Sequence, residues 1–501
     1  MTRPPDPGSA PPIENEAPPA SASALVASES AEEVIAILRA ENAALRAENL
    51  ALHARLAELE RRLGLNSSNS GKPPSSDGLK KPPRRTRSLR EASRKKSGGQ
   101  NGHPGETLRQ VAEPDATIDH YPTVCVQCDS PLTAAMATGY SARQVFDLPE
   151  PSPLVVTEHR AHNCSCANCG TQTRASFPEG VAAPVQYGQR ISAIVVYLLH
   201  FQFLPEDRLA ALMADLFGVR LVPATIARMS RSCAQRLQDF VAAVRTLVCK
   251  APVKHLDETG FRIGGKTQWL HIASTALLSF YRVSPKRGSL LEGLRGIVVH
   301  DHWKPYYTLE GVLHGLCNAH HLRELKALIE IEKEEWARRM HRLLSRACHA
   351  VNLARDSGVP LKRRLIECFE RCYDTILAQG IAFHETQPPL TRPPSKPGQR
   401  RRGRQPRRTG HNLLFRLSSF RDDALRFLNN RTVPFTNNQA EQDGRMMKLR
   451  QKISGGFRSV QGAEDFAVIR SFVSTARKQG WNLIHALTQA PQALVDCLRS
   501  A

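Results

Sequence analysis

The sequence predicts a multidomain chain with an N-terminal coiled coil, a four-cysteine domain, a helical segment and an α/β domain that carries a helical insertion. Three observations predict this organisation. Leucines recur at every seventh position from Leu38 to Leu59, two Cys-x-x-Cys pairs lie between Cys125 and Cys169, and short β-prone runs begin after Ala251. A chain of 501 residues is also too long for one hydrophobic core and should divide into several units.

Positive charge is concentrated in two blocks of a chain whose net charge is +22. Asn66–Gln110 holds eleven Lys/Arg against three acids, and Thr391–Gly410 holds eight Lys/Arg and no acid. Such blocks attract polyanions by releasing condensed counterions, and nucleic acid is the commonest such partner, although a solvated tail is the simpler alternative. The residues expected to contact DNA in these blocks are Arg84, Arg85, Arg87, Lys95, Lys96, Arg400, Arg401 and Arg402.

Composition also limits where the chain is expected to act. No apolar run approaches the roughly 18–20 residues that span a bilayer, and the N-terminus lacks the apolar stretch of a signal peptide. The chain is therefore expected to have no membrane partner and to stay in the cytoplasm, associated with the nucleoid. Without a secretory signal, twelve cysteines argue against a disulfide framework, and the seven outside Cys125–Cys169 are predicted to be small buried hydrophobes.

The heptad pattern predicts a coiled coil over residues 31–65, after a disordered Pro/Ala/Ser-rich segment, 1–30. Leu38, Leu45, Leu52 and Leu59 occupy one core position, and Asn42 and Asn49 occur at the other. Leucine at d with asparagine at a favours a parallel two-stranded assembly, so a homodimer or higher oligomer is expected. The alternative is one amphipathic helix packed on its own protein.

Two paired-cysteine knuckles predict a structural zinc ion. After a basic Pro/Gly/Ser-rich linker over 66–112, Cys125-x-x-Cys128 and Cys166-x-x-Cys169 follow within a predicted domain over 113–180. Each pair places two thiolates on one tight turn, and four thiolates leave no open position on tetrahedral Zn²⁺. A hairpin is expected in the segment between the knuckles, and the sequence leaves open whether Cys164 or Cys166 is the ligand.

Residues 181–250 read as helical and are predicted to bind DNA. Two helices are predicted to join at Phe217–Val222, with Gly218 in the turn and Pro223 opening the second helix. This spacing is compatible with a helix-turn-helix whose second helix presents Thr225, Arg228 and Arg231. An ordinary helical hairpin explains the pattern almost as well.

The region after Ala251 predicts an α/β sheet that brings two carboxylates together. Three β-prone runs (VKHLDETGFRI, TQWLHIAS, LLSFYRVS) precede the apolar run GIVVHDHW, then GVLHGLC and a helix. This order suits a ribonuclease H-like sheet in which Asp257 lies midway along the first strand and Asp301 ends the buried strand beside it. Adjacent carboxylates repel each other unless a cation separates them, and Mg²⁺ prefers such hard oxygen ligands.

A third acid from a later helix would complete a site for two metal ions. The stretch TNNQAEQDGRMMKLRQK offers Glu441 and Asp443, after an N-cap supplied by Thr436, Asn437 or Asn438. The two acids point to different faces, because two residues of helix rotate a side chain by about 200°. Glu441 is preferred since Met447 lies on a similar side and can pack on the sheet, while Asp443 is expected to face solvent or DNA.

Several motifs resemble the transposases of the bacterial insertion-sequence family numbered sixty-six. They are HLDETGFRIGGKTQWLH, VVHDHWKPYY, LCNAHHLREL, NNQAEQDGRMMKLRQKISGGFRS and STARKQGWNLIHAL, together with the NSSNSGKPPSSD segment, GGQNGHPG and the paired cysteines. The resemblance spans about residues 33–490. It implies an Asp-Asp-Glu transposase with Asp257, Asp301 and Glu441 as catalytic metal ligands for Mg²⁺, or alternatively Mn²⁺. It also implies double-stranded DNA as partner (terminal inverted repeats and target), a zinc-binding domain and, in many members, accessory proteins of the same element.

The 140 positions from Asp301 to Glu441 predict a helical insertion with a basic loop. Cys317-x-x-His320 at its start resembles a metal pair, but no second pair is nearby in sequence, so a packing or DNA-contact role is favoured. The remaining domain boundaries are a catalytic domain over 251–320 plus 430–480, the insertion over 321–429 and a C-terminal helix over 481–501.

Two other functions compete with metal-dependent strand cleavage and strand transfer. One is a non-catalytic DNA-binding dimer, a repressor or architectural protein, in which the coiled coil, the zinc domain and the basic linker carry the activity. The other is an inactive transposase relic. The three acids, each in its expected structural context, favour the enzyme.

Overall fold

A computed structural model describes residues 31–66, 68–70, 109–147, 154–390 and 406–499 of the chain. The disorder predicted for residues 1–30 and most of the predicted basic linker lie outside these ranges. So do the eight basic residues expected to contact DNA in the two charge blocks, from Arg84 to Lys96 and from Arg400 to Arg402.

A single long helix, α1 (Ala31–Gly64), occupies the segment predicted to form the coiled coil. The heptad leucines are all about half exposed, from Leu59 at 48% to Leu45 and Leu52 at 57%. The apolar stripe of α1 is therefore not packed on the rest of the chain, which disfavours the alternative of a helix packed on its own protein.

The end of α1 contacts the predicted insertion. Just beyond Gly64, the Asn69 side chain donates to Glu330 Oε2 at 3.0 Å, and Lys326 Nζ donates to Ser68 Oγ at 3.0 Å. These two bonds attach the end of α1 to the predicted insertion.

The two cysteine knuckles form the same tight turn. Cys125 N–H donates to Ser130 O and Cys166 N–H donates to Thr171 O, both at 2.9 Å. The described part of the segment between the knuckles forms no hairpin, so the prediction of a hairpin there is wrong. The strands β1 (Asn163–Ser165) and β2 (Gln172–Arg174) instead flank the second knuckle and pair antiparallel.

Four helices follow the cysteine domain: α2 (Gln189–His200), α3 (Glu206–Phe217), α4 (Pro223–Arg236) and α5 (Gln238–Lys250). The predicted joint between α3 and α4 is confirmed: Gly218 ends α3 in the left-handed region at φ 64°, and Pro223 is the first residue of α4. The first three helices bury a core of their own that includes Val195, Leu209 and Ile226. This three-helix unit fits a helix-turn-helix as well as a plain hairpin with a supporting helix.

A five-stranded mixed sheet follows, with strands at the positions the sequence predicted. They are β3 (Val253–Ile263), β4 (Lys266–Ser274), β5 (Ser279–Ser284), β6 (Gly296–His300) and β7 (Val312–Leu316). The spatial order is β5-β4-β3-β6-β7, in which β3, β4 and β5 form an antiparallel meander and β6 and β7 run parallel to β3.

Glycine is required where β6 enters the sheet. Gly296 has φ 79°, and a Cβ there would lie 2.7 Å from Pro252 O. The close approach lets Ile297 N–H donate to the same Pro252 oxygen at 2.8 Å, and this bond opens the parallel pairing of Val253 with Ile297. The register of the two central strands is thereby set at their first residues.

Helices cover both faces of the sheet. Val298 and Leu256 point to a core formed with α2, α4 and α5, whereas Ile297 and Val299 point to the opposite face. That face is covered by the predicted insertion, which is helical as expected: α6 (Asn318–Ala327), α7 (Glu335–Asp356), α8 (Arg363–Glu385), α9 (Thr409–Ser419) and α10 (Arg421–Asn429).

The chain returns to the sheet with α11 (Asn438–Ser454) and α12 (Val460–Gln479). The prediction of a C-terminal helix over residues 481–501 is wrong. Two short helices occupy the region instead, α13 (Leu483–Thr488) and α14 (Pro491–Asp496), because Pro491 has no N–H to continue a helix and favours its first position.

Burial of the seven cysteines outside Cys125–Cys169 follows the prediction in part. Cys233, Cys249, Cys317 and Cys348 are buried, but Cys368, Cys372 and Cys497 are exposed, so the prediction is wrong for these three. In the described ranges, no helix is long and apolar enough to cross a membrane.

Candidate active site at the carboxyl end of the central strands

The parallel pairing of β3 and β6 brings Asp257 and Asp301 to the same level. His255 pairs with Val299, so two further residues along each strand place Asp257 opposite Asp301. Neighbouring strands lie about 4.8 Å apart, and alternate residues share a face. The two carboxylates therefore lie side by side on the face that carries Val299, as the sequence predicted.

Glu441 reaches this face from the first turn of α11. The helix packs on the sheet through Ala440 and Met447, both fully buried, which confirms the packing expected for Met447. Gly444, three residues after Glu441, lies so close to the sheet that a Cβ there would be 2.9 Å from Ile272 and 3.5 Å from Asp257 Oδ2. The face of α11 that holds Glu441 is thus pressed against the strand that holds Asp257.

Asn437 fixes the start of α11 to β3. It occupies the N-cap position, but its side chain makes no capping bond, contrary to expectation. Its amide Nδ2 instead donates to Leu256 O at 2.7 Å, and its Oδ1 accepts from His255 Nδ1 at 2.9 Å. The Asn437 side chain is completely buried, so these bonds tie the third acid to the strand of the first.

The pKa of Asp257 reflects the other acids that lie near it. Burial raises its pKa most, and together with the charges of Glu258, Asp301 and Glu441 it brings the pKa to about 8. Like charges disfavour ionisation of a neighbour, so this shift places all four acids at one locus. Without a cation, Asp257 is mostly protonated at neutral pH.

Glu258 is a fourth acid that sequence reasoning missed. Burial raises its pKa, while hydrogen bonds from Tyr306 and Arg287 oppose the shift. Arg287 donates to Glu258 Oε1 at 2.6 and 2.9 Å, and its guanidinium lies over the rings of Trp303 (4.2 Å) and Trp269 (5.0 Å). Glu258 is neutralised by protein partners, which leaves Asp257, Asp301 and Glu441 as acids for an external cation.

Asp443 makes contacts that exclude it from this group. Its Oδ2 accepts from Lys478 Nζ at 2.7 Å and from Ser279 Oγ at 2.9 Å. The sequence expected Asp443 to face solvent or DNA, and this is wrong: only 14% of its side chain is exposed. Its role is to tie α11 to α12 and β5.

Two further residues contact Glu441, and sequence reasoning assigned them a packing or DNA-contact role. Cys317 Sγ lies 3.7 Å and His320 Nδ1 3.8 Å from Glu441 Oε1. Burial raises the pKa of Cys317 to about 12 and lowers the pKa of His320. The Cys-x-x-His spacing was the sequence signal for these two residues. Glu441, which both of them contact, lies more than 120 positions further along the chain.

The four predicted zinc ligands are formed as two separate knuckles. In the described ranges, no three of the sulfur atoms of Cys125, Cys128, Cys166 and Cys169 lie within 4.8 Å of one another. Hydrogen bonding by Ser130 lowers the pKa of Cys128, and Thr171 does the same for Cys169. Cys166, not Cys164, closes the second knuckle, since Cys164 pairs with Thr173 across the hairpin.

Basic side chains are exposed on two helices, α4 and α11. On α4, Arg228 and Arg231 are exposed and Thr225 is half-buried, with Arg231 3.8 Å from Asp465. On α11, Arg445, Lys448 and Lys452 are exposed, and Lys448 Nζ donates to Gly260 O of β3 at 2.7 Å. Exposed basic side chains attract polyanions such as nucleic acid.

Comparison with known families adds an independent finding. The model of a family described as "Transposase IS66 family" matches residues 184–465, more than half of the chain and the part that holds all three acids. The model of a family of unknown function, DUF6444, matches residues 16–109. A search of curated proteins gave no match.

The raised pKa of Asp257 predicts a pH-dependent stability. Between pH 4 and pH 8 the folded chain retains a proton that the unfolded chain has lost, so this group makes the fold less stable as pH rises through that window. In a chelator, Asp257→Asn should therefore raise the melting temperature more at pH 8.5 than at pH 5. The effect is at most about 1.4 kcal/mol per pH unit.

Thermal unfolding at both pH values measures this effect, with Asp356→Asn, an exposed acid at the end of α7, as the matched control. An equal gain for Asp257→Asn at both pH values would contradict the crowding of acids.

Proposed function

The chain belongs to the Transposase IS66 family, and from this we propose that it cuts and joins DNA with Asp257, Asp301 and Glu441 as the metal-binding carboxylates of a ribonuclease H-like domain. The family match makes the chain a transposase, a DNA-processing enzyme that acts in transposition. The catalytic residues and the metal are the proposal. Its main support is the convergence of three acids from β3, β6 and α11, expressed in the pKa of Asp257.

The sheet order supports a ribonuclease H-like domain. Three antiparallel strands are followed by two strands parallel to the first, and the acids come from the first strand, the end of the fourth and a helix beyond. The insertion of helices α6–α10 enters between the fifth strand and that helix. This matches the arrangement expected from the sequence.

The donor set fits a hard divalent cation. The three carboxylates offer oxygen ligands only. A bound cation would favour the ionised form of Asp257, because it would offset the negative charge of the neighbouring acids. Two Mg²⁺ ions, or Mn²⁺, would activate the attacking water or 3′-hydroxyl and stabilise the leaving oxygen. The described residues themselves position the carboxylates: Asn437 anchors α11, and Gly444 allows its close approach.

The exposed basic side chains of α4 and α11 support a path for DNA. Arg445 lies one turn beyond Glu441, and Lys448 follows on the same helix. Phosphate contacts of this kind position a duplex without reading its sequence. We propose that α4 contributes the contacts that recognise the terminal repeats, through Arg228 and Arg231.

Replacing Glu441 and Asp443 separately tests the choice of the third acid. Glu441→Gln should lower Mg²⁺-dependent strand cleavage and transfer by about 10²–10³-fold, because an essential negative ligand is lost. Asp443→Asn should retain most activity but destabilise the fold by about 1–3 kcal/mol, because Lys478 loses its charged partner. The assay uses labelled duplexes from the DNA that flanks the gene, with thermal unfolding in parallel.

The reverse pattern would reassign the third acid and leave the transposase family untouched. DNA binding by the same variants, measured at fixed salt, separates the competing functions. If the unmodified protein binds these duplexes and never cuts them, the non-catalytic DNA-binding reading or the inactive relic replaces the proposed chemistry.

We also propose that the two knuckles bind one structural Zn²⁺ through Cys125, Cys128, Cys166 and Cys169. The preformed turns and the lowered pKa values of Cys128 and Cys169 support thiolate ligands. Bringing the knuckles together requires the segment between them to adjust.

Cys164 supplies a matched control for this site. Cys166→Ser should remove about one equivalent of zinc per chain, whereas Cys164→Ser should remove none, because only Cys166 belongs to a knuckle. Metal analysis of the purified full chain checks this. Equal zinc content in the two variants would disprove the assignment.

Homodimerisation through α1 is the third part of the proposal. Its heptad leucines are exposed along one stripe, which is an unfavourable arrangement for a lone helix.

The self-association can be tested with a substitution on each side of α1. Leu45→Asp in the heptad stripe should dissociate the full chain to monomers, whereas Leu50→Asp, an exposed leucine outside the stripe, should not. Sedimentation equilibrium distinguishes the two. A monomeric unmodified chain at tens of micromolar, or equal effects of both substitutions, would count against the dimer.

A further inference from the structure

Three potential metal ligands meet beside the carboxylates but come from different chemical classes. Cys317 Sγ, His320 Nδ1 and one carboxylate oxygen of Glu441 all lie within 4.8 Å of one another. In the described ranges, these residues form the one group of three His, Cys, Asp or Glu side chains with this property. Cys317 precedes α6, His320 lies in its first turn, and Glu441 lies in the first turn of α11.

The distances fit a small tetrahedral ion. Glu441 Oε1 lies 3.7 Å from Cys317 Sγ and 3.8 Å from His320 Nδ1. Tetrahedral zinc, with Zn–S of about 2.3 Å and Zn–N or Zn–O of about 2.0 Å, places neighbouring ligand atoms about 3.3–3.5 Å apart. Both distances to Glu441 Oε1 are therefore within about half an ångström of that geometry, and the third distance, from Cys317 Sγ to His320 Nδ1, is no more than 4.8 Å.

The protein leaves His320 Nδ1 without a hydrogen bond. The atom is buried and has no hydrogen-bonding partner, and buried polar atoms in this state are uncommon. The Cys317 sulfur, by contrast, is held in place because it accepts the backbone N–H of Asn437 at 3.1 Å. A cavity of about 330 Å³, lined by His320 and Arg323 among others, opens beside the group and offers an ion a path from solvent.

We propose that Cys317, His320 and Glu441 bind one borderline or soft divalent cation, of the Zn²⁺ class, and that this ion withdraws Glu441 from the Mg²⁺ site and so inhibits strand cleavage. Binding of the ion is independent of the proposed function, whereas inhibition depends on it.

The chemistry of the ligands separates the two metals. Thiolate and imidazole favour Zn²⁺, Co²⁺ or Cd²⁺, whereas the neighbouring carboxylates favour Mg²⁺. On binding, the ion gains bonds to Sγ, Nδ1 and Oε1, the thiol proton leaves to solvent, and a water completes the tetrahedron. The remaining imidazole proton lies on Nε2, so the Arg323 guanidinium, now 3.4 Å from Nε2, turns away.

Cd²⁺ binding to the full chain tests the site directly. Equilibrium dialysis should find one more equivalent of Cd²⁺ on the unmodified chain than on Cys317→Ser. The matched control is Cys348→Ser, a buried cysteine in α7 outside the group, which should bind as much as the unmodified chain. The cysteines of the two knuckles are present in all variants, so their contribution cancels.

His320→Gln provides a second variant that keeps the thiol, and it should lose the same equivalent. Thermal unfolding shows which variants are folded, and His320→Gln decides the outcome if Cys317→Ser does not fold. Equal Cd²⁺ binding by the unmodified chain and by folded variants of the site would overturn the proposal.

Inhibition is measured by adding Zn²⁺ to a DNA cleavage assay supported by Mg²⁺. The cleavage rate of each variant is divided by the rate of the same variant without Zn²⁺. The unmodified chain and Cys348→Ser should be half-inhibited at a Zn²⁺ concentration about tenfold or more below that for His320→Gln. Equal inhibition would overturn the competition for Glu441. Intact Cd²⁺ binding in a chain that cuts no duplex would support the metal site and contradict the proposed function instead.

Discussion

Mutual repulsion of Asp257, Asp301 and Glu441 is the constraint on which the arrangement of the central sheet and α11 depends. Carboxylates at this spacing resist ionisation together, as the raised pKa of Asp257 records. The surrounding structure therefore has to hold acids where they are electrostatically unfavourable. It does so with contacts that do not involve the acids themselves.

Those contacts act on both sides of the site. The bond from Ile297 to Pro252 sets the level of β6 against β3, which fixes Asp301 relative to Asp257. Asn437 and the Asp443–Lys478 pair hold α11 from its start and from its far face, so Glu441 has little freedom to retreat. Glu258, the next residue along β3, shows the opposite solution for a carboxylate, because Arg287 and Tyr306 satisfy it within the protein.

The sequence predicted what depends on local pattern. All five strands and the α3–α4 joint follow from periodicity and from glycine or proline at fixed positions, and Asp257 and Asp301 follow from strand order. The sequence did not predict contacts between side chains that lie far apart along the chain. Cys317 meets Glu441 across 124 positions and Asn437 meets Leu256 across 181, and neither motif carries a local sign of that pairing. The environment of Asp443 was predicted wrongly for the same reason, because its partner Lys478 lies on another helix.

The insertion of α6–α10 between β7 and α11 has a consequence for synthesis. Asp257 and Asp301 leave the ribosome while more than a hundred residues remain to be translated before Glu441. A nascent or prematurely ended chain that stops within the insertion has the central strands but lacks α11, and with it the third carboxylate of the proposed site. Under the proposed chemistry, such fragments could not cleave DNA, and cleavage would require a chain that has been translated through α11.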